Sequence, residues 1–430
     1  MADNTPKKLR NQMMYQVFVR NFSEEGTFKK VEEDLDRIKA LGTDIVWLMP
    51  IHPIGKAQRK GTLGSPYAIS DYRAVNPEFG TLEDFKSLTD AIHSKDMKCI
   101  IDVVYNHTSP DSVLSREHPE WFYHKSDGSF GNRVGDWSDI IDLDYSNKEL
   151  WRYQIDTLKY WAQWVDGFRC DVAPLIPIAF WEQARAEVEQ VRENSVWLSE
   201  SVEPNFIMYL RSRGMVAHSD CEIYRAFDLS YDYDCYEEFK AYLYGKGSLQ
   251  AYVDALSRQE YIYPDNYVKL RFLENHDQTR ARFFIPDINV LKSMTAFMFF
   301  QKGMALVYNG QEKAVSHLPS LFDKDTVLWD GKETVDLSGY IAKLAQIKRD
   351  DIFTDSVYKV SAFGERALTA SHEKNGKKAV GVFPLDNKTG FIPVDLADGV
   401  YINLIDDSSV EVFRGGIMCR GEAVVLIKDF

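Results

Sequence analysis

Short apolar runs alternate with longer amphipathic stretches over most of this chain. Such an alternation is typical of βα units, in which helices connect the parallel strands of one sheet. A parallel sheet buries both faces of its strands, so short runs rich in apolar residues are the strand candidates, and the sequence has eight of them. These runs are residues 13–19, 44–49, 98–104, 165–170, 195–198, 226–229, 268–273 and 305–308.

Helical patterns separate these runs, with apolar residues spaced to line one face of a helix. The clearest examples are residues 81–95, 148–164, 178–192 and 290–300. Eight strands with helices between them predict an α/β fold, namely a closed (β/α)8 TIM barrel. An open doubly wound sheet is the alternative, but the sequence has no Gly-rich phosphate turn in its support.

Two segments depart from the alternation. About forty residues rich in Asp, Ser, Gly and aromatic side chains follow the third strand, which is too long for a structureless loop and predicts an inserted subdomain. After the last helix, short strand-like runs joined by turn sequences predict a small all-β C-terminal domain. The predicted division is residues 1–107 and 146–350 for the barrel, 108–145 for the inserted domain B and 351–430 for the C-terminal β-domain.

Composition limits the partners and the compartment. The formal net charge of −14 disfavours a nucleic-acid partner, because phosphate binding needs an excess of Lys and Arg. The five cysteines contain no CxxC pair, which fits a reducing compartment better than a disulfide framework. We expect a cytoplasmic protein without a membrane partner, since the N-terminus has no apolar leader and no run reaches the ~18 apolar residues of a membrane span.

Polar side chains end several of the predicted strands. The third strand leads to His107, the fourth to Asp171, the fifth to Glu200 and the seventh to His276 and Asp277. Each residue alone has an ordinary structural explanation, as a helix cap, a solvated acid or a buried histidine. Active sites of (β/α)8 barrels lie at the carboxyl ends of the strands, so five such residues on one rim predict a catalytic site.

A pair of carboxylates suits the cleavage of a glycosidic bond. One must be ionised to attack or stabilise the sugar carbon, and the other must be protonated to assist the leaving oxygen. Arg169 lies two residues before Asp171 and points to the same side of a strand, where its guanidinium would keep Asp171 ionised. Glu200 follows Trp197 and Leu198, an apolar setting that favours its protonated form.

At these residues the chain resembles the α-amylase family of glycoside hydrolases. The similar segments are DVVYNH, GFRCD, the SE after an apolar strand and FLENHD, in the order and strand context of the family's four motifs. IIDLDYSN in the insertion and GSPYAISDYRAVNPEFGT after the second strand are also similar to family segments. The resemblance covers nearly the whole chain and implies a retaining reaction on α-linked glucans.

The resemblance implies a role for each matching residue. Asp171 corresponds to the nucleophile, Glu200 to the general acid/base and Asp277 to the third acid, which holds sugar hydroxyls. Arg169 corresponds to the arginine that orients the nucleophile, and Asp102 to a structural acid beneath the site. The residues that would contact the sugar before the cleaved bond are Tyr67, His107, His276 and, near the same subsite, Arg280.

One departure concerns metal binding. Many α-amylases carry Lys-His where this chain has Pro174 and Leu175, which removes one backbone ligand of the usual calcium site. Asn106 and Asp142 are still candidate ligands, so the resemblance leaves a structural calcium possible and the metal ligands unknown. The resemblance implies no cofactor for the chemistry itself.

The leading interpretation is hydrolysis of α-1,4-glucosidic bonds in maltooligosaccharides, starch fragments or glycogen through a covalent glucosyl-enzyme intermediate. A 4-α-glucanotransferase or an α-glucosidase would use the same motifs. A catalytically inactive amylase-like binding protein is disfavoured, because all three acids are present. A barrel enzyme of unrelated chemistry would need a phosphate site or metal ligand cluster, and the sequence indicates neither. Oligomeric state, endo or exo action and tolerance of α-1,6 bonds stay open.

Overall fold

Eight parallel strands close into a barrel in the computed structural model, which describes residues 4–134, 137–331, 334–388 and 390–429. Around the barrel the order is β1-β2-β3-β6-β7-β8-β9-β10, and β4 and β5 pair outside it. In chain order these strands are β1 (Met13–Val17), β2 (Ile45–Leu48), β3 (Lys98–Val103), β4 (His107–Thr108), β5 (Ile141–Asp142), β6 (Gly167–Cys170), β7 (Val196–Ser199), β8 (Leu229–Tyr231), β9 (Val268–Arg271) and β10 (Met304–Tyr308).

Helices cover the outside of the barrel, except α5 (Val113–Glu117), which lies in the inserted segment after β3. None in the described ranges has the length and apolar character needed to span a lipid bilayer. They are α1 (Val19–Phe22), α2 (Phe28–Glu33), α3 (Leu35–Ala40), α4 (Leu82–Ser94), α5 (Val113–Glu117), α6 (Lys148–Trp161), α7 (Ile178–Val188), α8 (Pro204–Ser212), α9 (Asp220–Ile223), α10 (Tyr233–Leu243), α11 (Leu249–Ile262), α12 (Ala281–Phe284), α13 (Ile288–Phe300) and α14 (Ser338–Lys348).

Helix α4 illustrates how the local sequence sets these elements. Thr81 caps its N-terminus: the hydroxyl accepts the backbone N–H of Asp84, and the Asp84 carboxylate accepts the N–H of Thr81. Such a reciprocal cap is worth about 1 kcal/mol. Phe85, Leu88 and Ile92 recur at helical spacing and are fully buried. The cap therefore fixes where the helix begins, and the apolar stripe fixes which face meets the barrel.

The predicted fold class is confirmed, but one predicted strand is displaced. Residues 226–229 were expected to form the sixth barrel strand, whereas β8 begins at Leu229. The N–H groups of Ala226 and Phe227 donate to the carbonyl of Ile223, so these apolar residues extend the turn after α9. The apolar run is buried as expected, but its first two residues, Ala226 and Phe227, have helical hydrogen bonds and are not part of a strand.

The chain between β3 and α6 forms the inserted subdomain. Its two-stranded antiparallel sheet pairs His107 with Asp142, so the insertion begins and ends at the carboxyl edge of the barrel. Trp121 and Phe122 are buried within it. Because the sheet is anchored next to β3, the subdomain forms one wall over the ends of the barrel strands.

The C-terminal part consists of two four-stranded antiparallel sheets. The first has the order β11-β12-β13-β18 and packs against the barrel through α11 and α13. The second has the order β14-β17-β16-β15. We propose 1–107 and 146–350, 108–145 and 351–430 as the boundaries of the barrel, insertion and C-terminal domain. The strands are β11 (Val357–Phe363), β12 (Ala367–Lys374), β13 (Lys377–Pro384), β14 (Gly390–Pro393), β15 (Gly399–Ile402), β16 (Ser409–Phe413), β17 (Gly416–Cys419) and β18 (Val424–Asp429).

Candidate active site

A cavity of about 300 Å³ opens at the carboxyl ends of the barrel strands, beside the inserted subdomain. Tyr67, His107, Asp171, Glu200 and Asp277 all line it. These residues lie together because β3, β6 and β7 are neighbouring parallel strands that end at the same edge of the barrel. Residues far apart in the sequence thus converge on one small polar space.

Arg169 lies at the centre of this site and is completely buried. Its Nη1 donates to Asp102 Oδ1 at 2.8 Å and to Asp171 Oδ1 at 3.0 Å. Its Nη2 lies 3.0 Å from Glu200 Oε2. One guanidinium therefore serves three nearly buried carboxyl groups, and its single positive charge does not balance three negative charges. This imbalance favours a proton on one of the three carboxyl groups.

Hydrogen bonding indicates where that proton is. Asp171 and Asp102 accept charge-assisted bonds from Arg169, whereas the bond that Glu200 accepts is from the backbone N–H of Val172, at 2.8 Å. Burial raises the pKa of Asp171 to about 7 and the pKa of Glu200 to about 8, and Arg169 opposes both increases. The arrangement favours an ionised Asp171 beside a protonated Glu200.

Val172 has an unusual backbone conformation, with φ 34° and ψ 43°. A β-branched residue rarely adopts this left-handed geometry, which costs on the order of 1–3 kcal/mol. The turn aims the Val172 N–H at Glu200 Oε2 directly after Asp171 leaves the end of β6. The strained residue thus lies between the two candidate catalytic acids: it follows Asp171 in the chain and donates a hydrogen bond to Glu200.

Tyr67 and His276 form a second layer of the site. The Tyr67 hydroxyl donates to Asp102 Oδ2 at 3.1 Å and lies 2.5 Å from His276 Nε2. The Nδ1 atom of His276 is 2.6 Å from the amide nitrogen of Gln16. This network is satisfied when His276 carries its proton on Nε2, which also faces Asp277 Oδ2 at 3.1 Å. Burial lowers the pKa of His276 to about 4, so the ring is neutral near pH 7.

Arg280 is not among the cavity-lining residues. Its three guanidinium nitrogens donate to Glu274 Oε1, to the carbonyl of Asn309 and to the carbonyl of His317. The side chain is fully buried and stacks over the Tyr308 ring at 4.3 Å. Three of its five N–H groups are thus bonded to protein, and the side chain is buried outside the lining of the cavity. We propose a positioning role for it, in holding the segment that carries Asp277.

The candidate calcium ligands Asn106 and Asp142 lie together, in the wall of a neighbouring cavity. Arg133 also lines that cavity: its Nη1 is 3.8 Å from Asp142 Oδ2, and its Nη2 is 3.8 Å from Asp144 Oδ1. The same Nη1 donates to the Leu143 carbonyl at 3.2 Å, and the guanidinium stacks over a tyrosine ring. The guanidinium thus places a positive charge beside one oxygen of each carboxylate, whereas Asp142 Oδ1 is buried without a hydrogen-bond partner among the described residues.

A second acidic group, formed by Asp232, Asp234 and Cys235, has donor atoms close enough together to ligate a metal. Its carboxylates are already neutralised, because Asp232 accepts from Arg271 at 2.8 Å and Asp234 lies 2.9 Å from Lys269. Both cations are buried. This group is therefore a set of internal ion pairs and lies away from the catalytic cavity.

The cavity contains residues that sequence reasoning missed. Lys60, Trp137, Asp139, Leu321 and Phe322 line it together with the predicted residues. They belong to three loops, and loop sequences do not show the regular spacing of apolar residues that identifies strands and helices. Their composition offered one signal, since aromatic residues were recognised in the insertion, but nothing in the sequence placed them on the cavity side.

Comparison with known proteins agrees with this geometry. The profile described as "Alpha amylase, catalytic domain" matches residues 6–354, and "Bacterial Alpha amylase C-terminal domain" matches residues 359–426. An α-amylase structure from Lactobacillus plantarum has a TM-score of 0.95 and 49% identity, covering 98% of this chain and 100% of that one. A maltogenic α-amylase structure from Thermotoga neapolitana has a TM-score of 0.88 and 35% identity, covering 98% and 100%.

Curated relatives are more distant. The α-amylase MalA of Haloarcula japonica is 25% identical over 81% of this chain and 50% of its own length. An α-1,4-glucan:maltose-1-phosphate maltosyltransferase of Myxococcus xanthus is 30% identical over 59% of this chain and 39% of its own length. The chain thus spans half or less of these relatives. Because the catalytic-domain profile covers most of the chain, the protein belongs to the α-amylase family of glycoside hydrolases.

Proposed function

We propose that this protein hydrolyses α-1,4-glucosidic bonds in maltooligosaccharides, starch fragments or glycogen, with retention of the anomeric configuration. The observation that carries the proposal is the guanidinium of Arg169, which contacts both Asp171 and Glu200 at 3.0 Å. Retaining enzymes need two carboxyl groups about 5 Å apart. Asp171 and Glu200 lie close together because both contact the guanidinium of Arg169. Their environments still differ, because Glu200 also accepts the backbone N–H of Val172.

In the first step, an Asp171 oxygen attacks the anomeric carbon as the bond from that carbon to the leaving oxygen breaks. Glu200 gives its proton to the leaving oxygen, which departs as a sugar hydroxyl. Arg169 holds Asp171 in place, Asp277 lines the cavity where it would hold sugar hydroxyls, and His276 lies 3.1 Å from Asp277 and would orient it. This step requires Asp171 ionised and Glu200 protonated.

In the second step, the ionised Glu200 takes a proton from water while the water oxygen attacks the anomeric carbon. The bond between that carbon and Asp171 breaks, which restores both carboxyl groups to their starting state. Two displacements at one carbon leave the product with the substrate's configuration. The chemistry uses the side chains alone and needs no cofactor.

The pH dependence of kcat/KM follows from the two carboxyl groups. Activity requires an ionised Asp171, whose pKa is raised to about 7, and a protonated Glu200, whose pKa is raised to about 8. Activity should therefore fall as the pH drops below the first value or rises above the second. We expect an optimum near neutral pH, and an optimum below about pH 5, near the unperturbed carboxyl values, would contradict this assignment.

The product profile from maltoheptaose tests the proposed function. Hydrolysis should give only sugars shorter than the substrate, followed over time by chromatography. Newly formed products should appear first as α-anomers in NMR spectra. Initial release of the β-anomer would contradict a retaining reaction, and an unchanged substrate would contradict the proposed activity.

Transfer to a sugar acceptor is the second candidate. The maltosyltransferase relatives favour it, since one is 30% identical over 59% of the chain. Water and sugar hydroxyls compete for the same covalent intermediate, so the acceptor decides the product. Products longer than maltoheptaose in the same experiment would identify a 4-α-glucanotransferase, and glucose as the sole small product would identify an α-glucosidase.

We also propose that the position between Asp142 and Asp144 needs no calcium, because the Arg133 guanidinium supplies positive charge there. Treatment with EDTA should leave the Tm unchanged. Arg133→Met should lower the Tm. Millimolar CaCl2 should restore part of the loss by binding the Asp142 and Asp144 carboxylates, which the substitution leaves without the arginine's positive charge. The matched control is Arg152→Met, which breaks the ion pair of a surface helix with Glu187. A large EDTA-induced fall in the Tm of the unmodified protein would refute this proposal.

We propose a cytoplasmic location. All five cysteines are free, and Cys99, Cys170, Cys235 and Cys419 are buried as thiols. Free thiols persist in reducing compartments. Cell fractionation with an antibody to the protein would test this, and recovery from the medium would contradict it.

A further inference from the structure

Contacts between three loops join residues that line one part of the catalytic cavity. Lys60 follows β2, Asp139 belongs to the inserted subdomain, and Phe322 and Asp323 follow β10. Lys60 Nζ lies 2.9 Å from Asp139 Oδ1, which joins the first loop to the second. We call Lys60, Thr62, Asp139, Phe322 and Asp323 the end wall.

The first and third loops of the end wall are tightly joined. The Thr62 N–H and hydroxyl donate to Asp323 Oδ1 at 2.8 and 2.7 Å. The N–H groups of Leu63 and Gly64 donate to the Phe322 carbonyl at 2.9 and 3.1 Å. A Cβ at Gly61 would lie 2.6 Å from Phe322 Cβ, so the two chains approach with no space for a side chain between them. These contacts join the two loops, and Lys60 and Phe322 from them line the cavity.

The end wall adjoins the glycone side of the site. Tyr67, which contacts His276 and Asp102, packs in the same apolar cluster as Leu321, next to Phe322. Glu200 is bonded instead to Val172, whose side chain packs with Leu175, Met215 and residues of α8. The general acid stands on the side where the leaving sugar departs. The end wall therefore lies beyond the sugar that becomes bonded to Asp171.

The end wall also offers polar groups to a chain terminus. Asp139 is nearly buried, with 7% of its side chain exposed, and Lys60 is partly exposed; both face the cavity. An ammonium group donates and a carboxylate accepts, so together they can bind a terminal sugar that has free hydroxyls. An internal sugar carries a further glycosidic bond at that point, and its extension would meet the joined loops.

We infer that this protein acts from the non-reducing end of maltooligosaccharides, because the end wall accepts a terminal sugar and excludes an internal one. The inference rests on the proposed glucan hydrolysis and specifies its substrate as chain ends. Lys60 and Asp139 are then specificity-determining residues, and the rest of the end wall holds their loops together. The protein would shorten linear glucans stepwise and release short sugars of uniform length.

Two chromogenic substrates test the inference with the unmodified protein. Both are 4-nitrophenyl maltoheptaosides whose nitrophenyl-bearing products are separated by chromatography without any second enzyme, and one has O4 and O6 of its non-reducing sugar blocked by an ethylidene group. Cleavage of the free substrate at least a hundred times faster than the blocked one is the expected result. Equal rates would overturn end-directed action while leaving the hydrolase intact, and cleavage of neither would overturn the proposed function together with this inference.

Opening the end wall should change the ratio of these rates. The variant Lys60→Ala/Asp323→Ala removes the link to Asp139 and both bonds from Thr62. We expect the rate on the blocked substrate, relative to the free one, to rise at least tenfold. Lys343→Ala is the control, because Lys343 is about as exposed as Lys60 and pairs with Asp407, between barrel and C-terminal domain, and this change should leave the ratio unchanged. A folded double variant with the unmodified protein's ratio would overturn the role given to the end wall.

Discussion

Replacement of Asp171 by asparagine should lower kcat on maltoheptaose by about 10⁴-fold or more, as expected when a covalent nucleophile is removed. The amide keeps the shape of the carboxyl group but cannot form the glucosyl ester. It also removes one negative charge from the group of three carboxyl groups around Arg169. Stability should therefore be retained or slightly increased, since a buried charge with incomplete compensation is lost.

Steady-state kinetics and thermal unfolding of the same preparation check this prediction. Asp254→Asn serves as the control, because this residue is exposed on α11 and contacts a neighbouring glutamine. The control should keep its full activity. If Asp171→Asn kept more than a few per cent of activity with an unchanged Tm, Asp171 would not be the nucleophile.

Replacement of Glu200 by glutamine should produce a loss that depends on the substrate. On maltoheptaose the leaving oxygen needs a proton, so kcat should fall by about 10²–10⁴-fold. On α-glucosyl fluoride, fluoride departs without an acid, so the first step should proceed nearly as in the unmodified protein. The second step still lacks its base, and the glucosyl-enzyme should accumulate. Equal losses on both substrates would contradict the role of Glu200 as the acid.

The pH profile of the same variant gives a separate check. If the alkaline fall in kcat/KM reflects loss of the Glu200 proton, whose pKa is raised to about 8, it should disappear in Glu200→Gln assayed with the fluoride. The acidic fall, which reflects protonation of Asp171, should remain. An alkaline fall that persists would assign it to another group.

The barrel and the position of the acids could be predicted from the sequence for one physical reason. Parallel strands that are buried on both faces are rich in apolar residues, so a carboxylate that directly follows such a run marks the carboxyl edge. Asp171 and Glu200 follow β6 and β7 in this way, and the register of neighbouring strands brings them together. Residues that end neighbouring strands in the sequence therefore lie together at the carboxyl edge of the barrel.

The remaining features depend on tertiary contacts with no periodic signal. Arg133 reaches Asp142 and Asp144 from a loop of the insertion, where any surface arginine would have looked the same. Lys60 and Asp139 meet across the cavity although 79 residues separate them. Arg280 matched a motif, but its partners Glu274 and Asn309 occupy its nitrogens. Loop contacts decided these three cases, and loop geometry is not encoded in hydrophobic spacing.

Mass spectrometry of Glu200→Gln incubated with α-glucosyl fluoride tests whether a glucosyl group becomes covalently bonded to Asp171. The intact protein should gain the mass of one anhydroglucose unit, and peptide mapping should place the label on the segment that contains Asp171. A label on Asp277, or turnover of the fluoride without any labelled protein, would contradict the account.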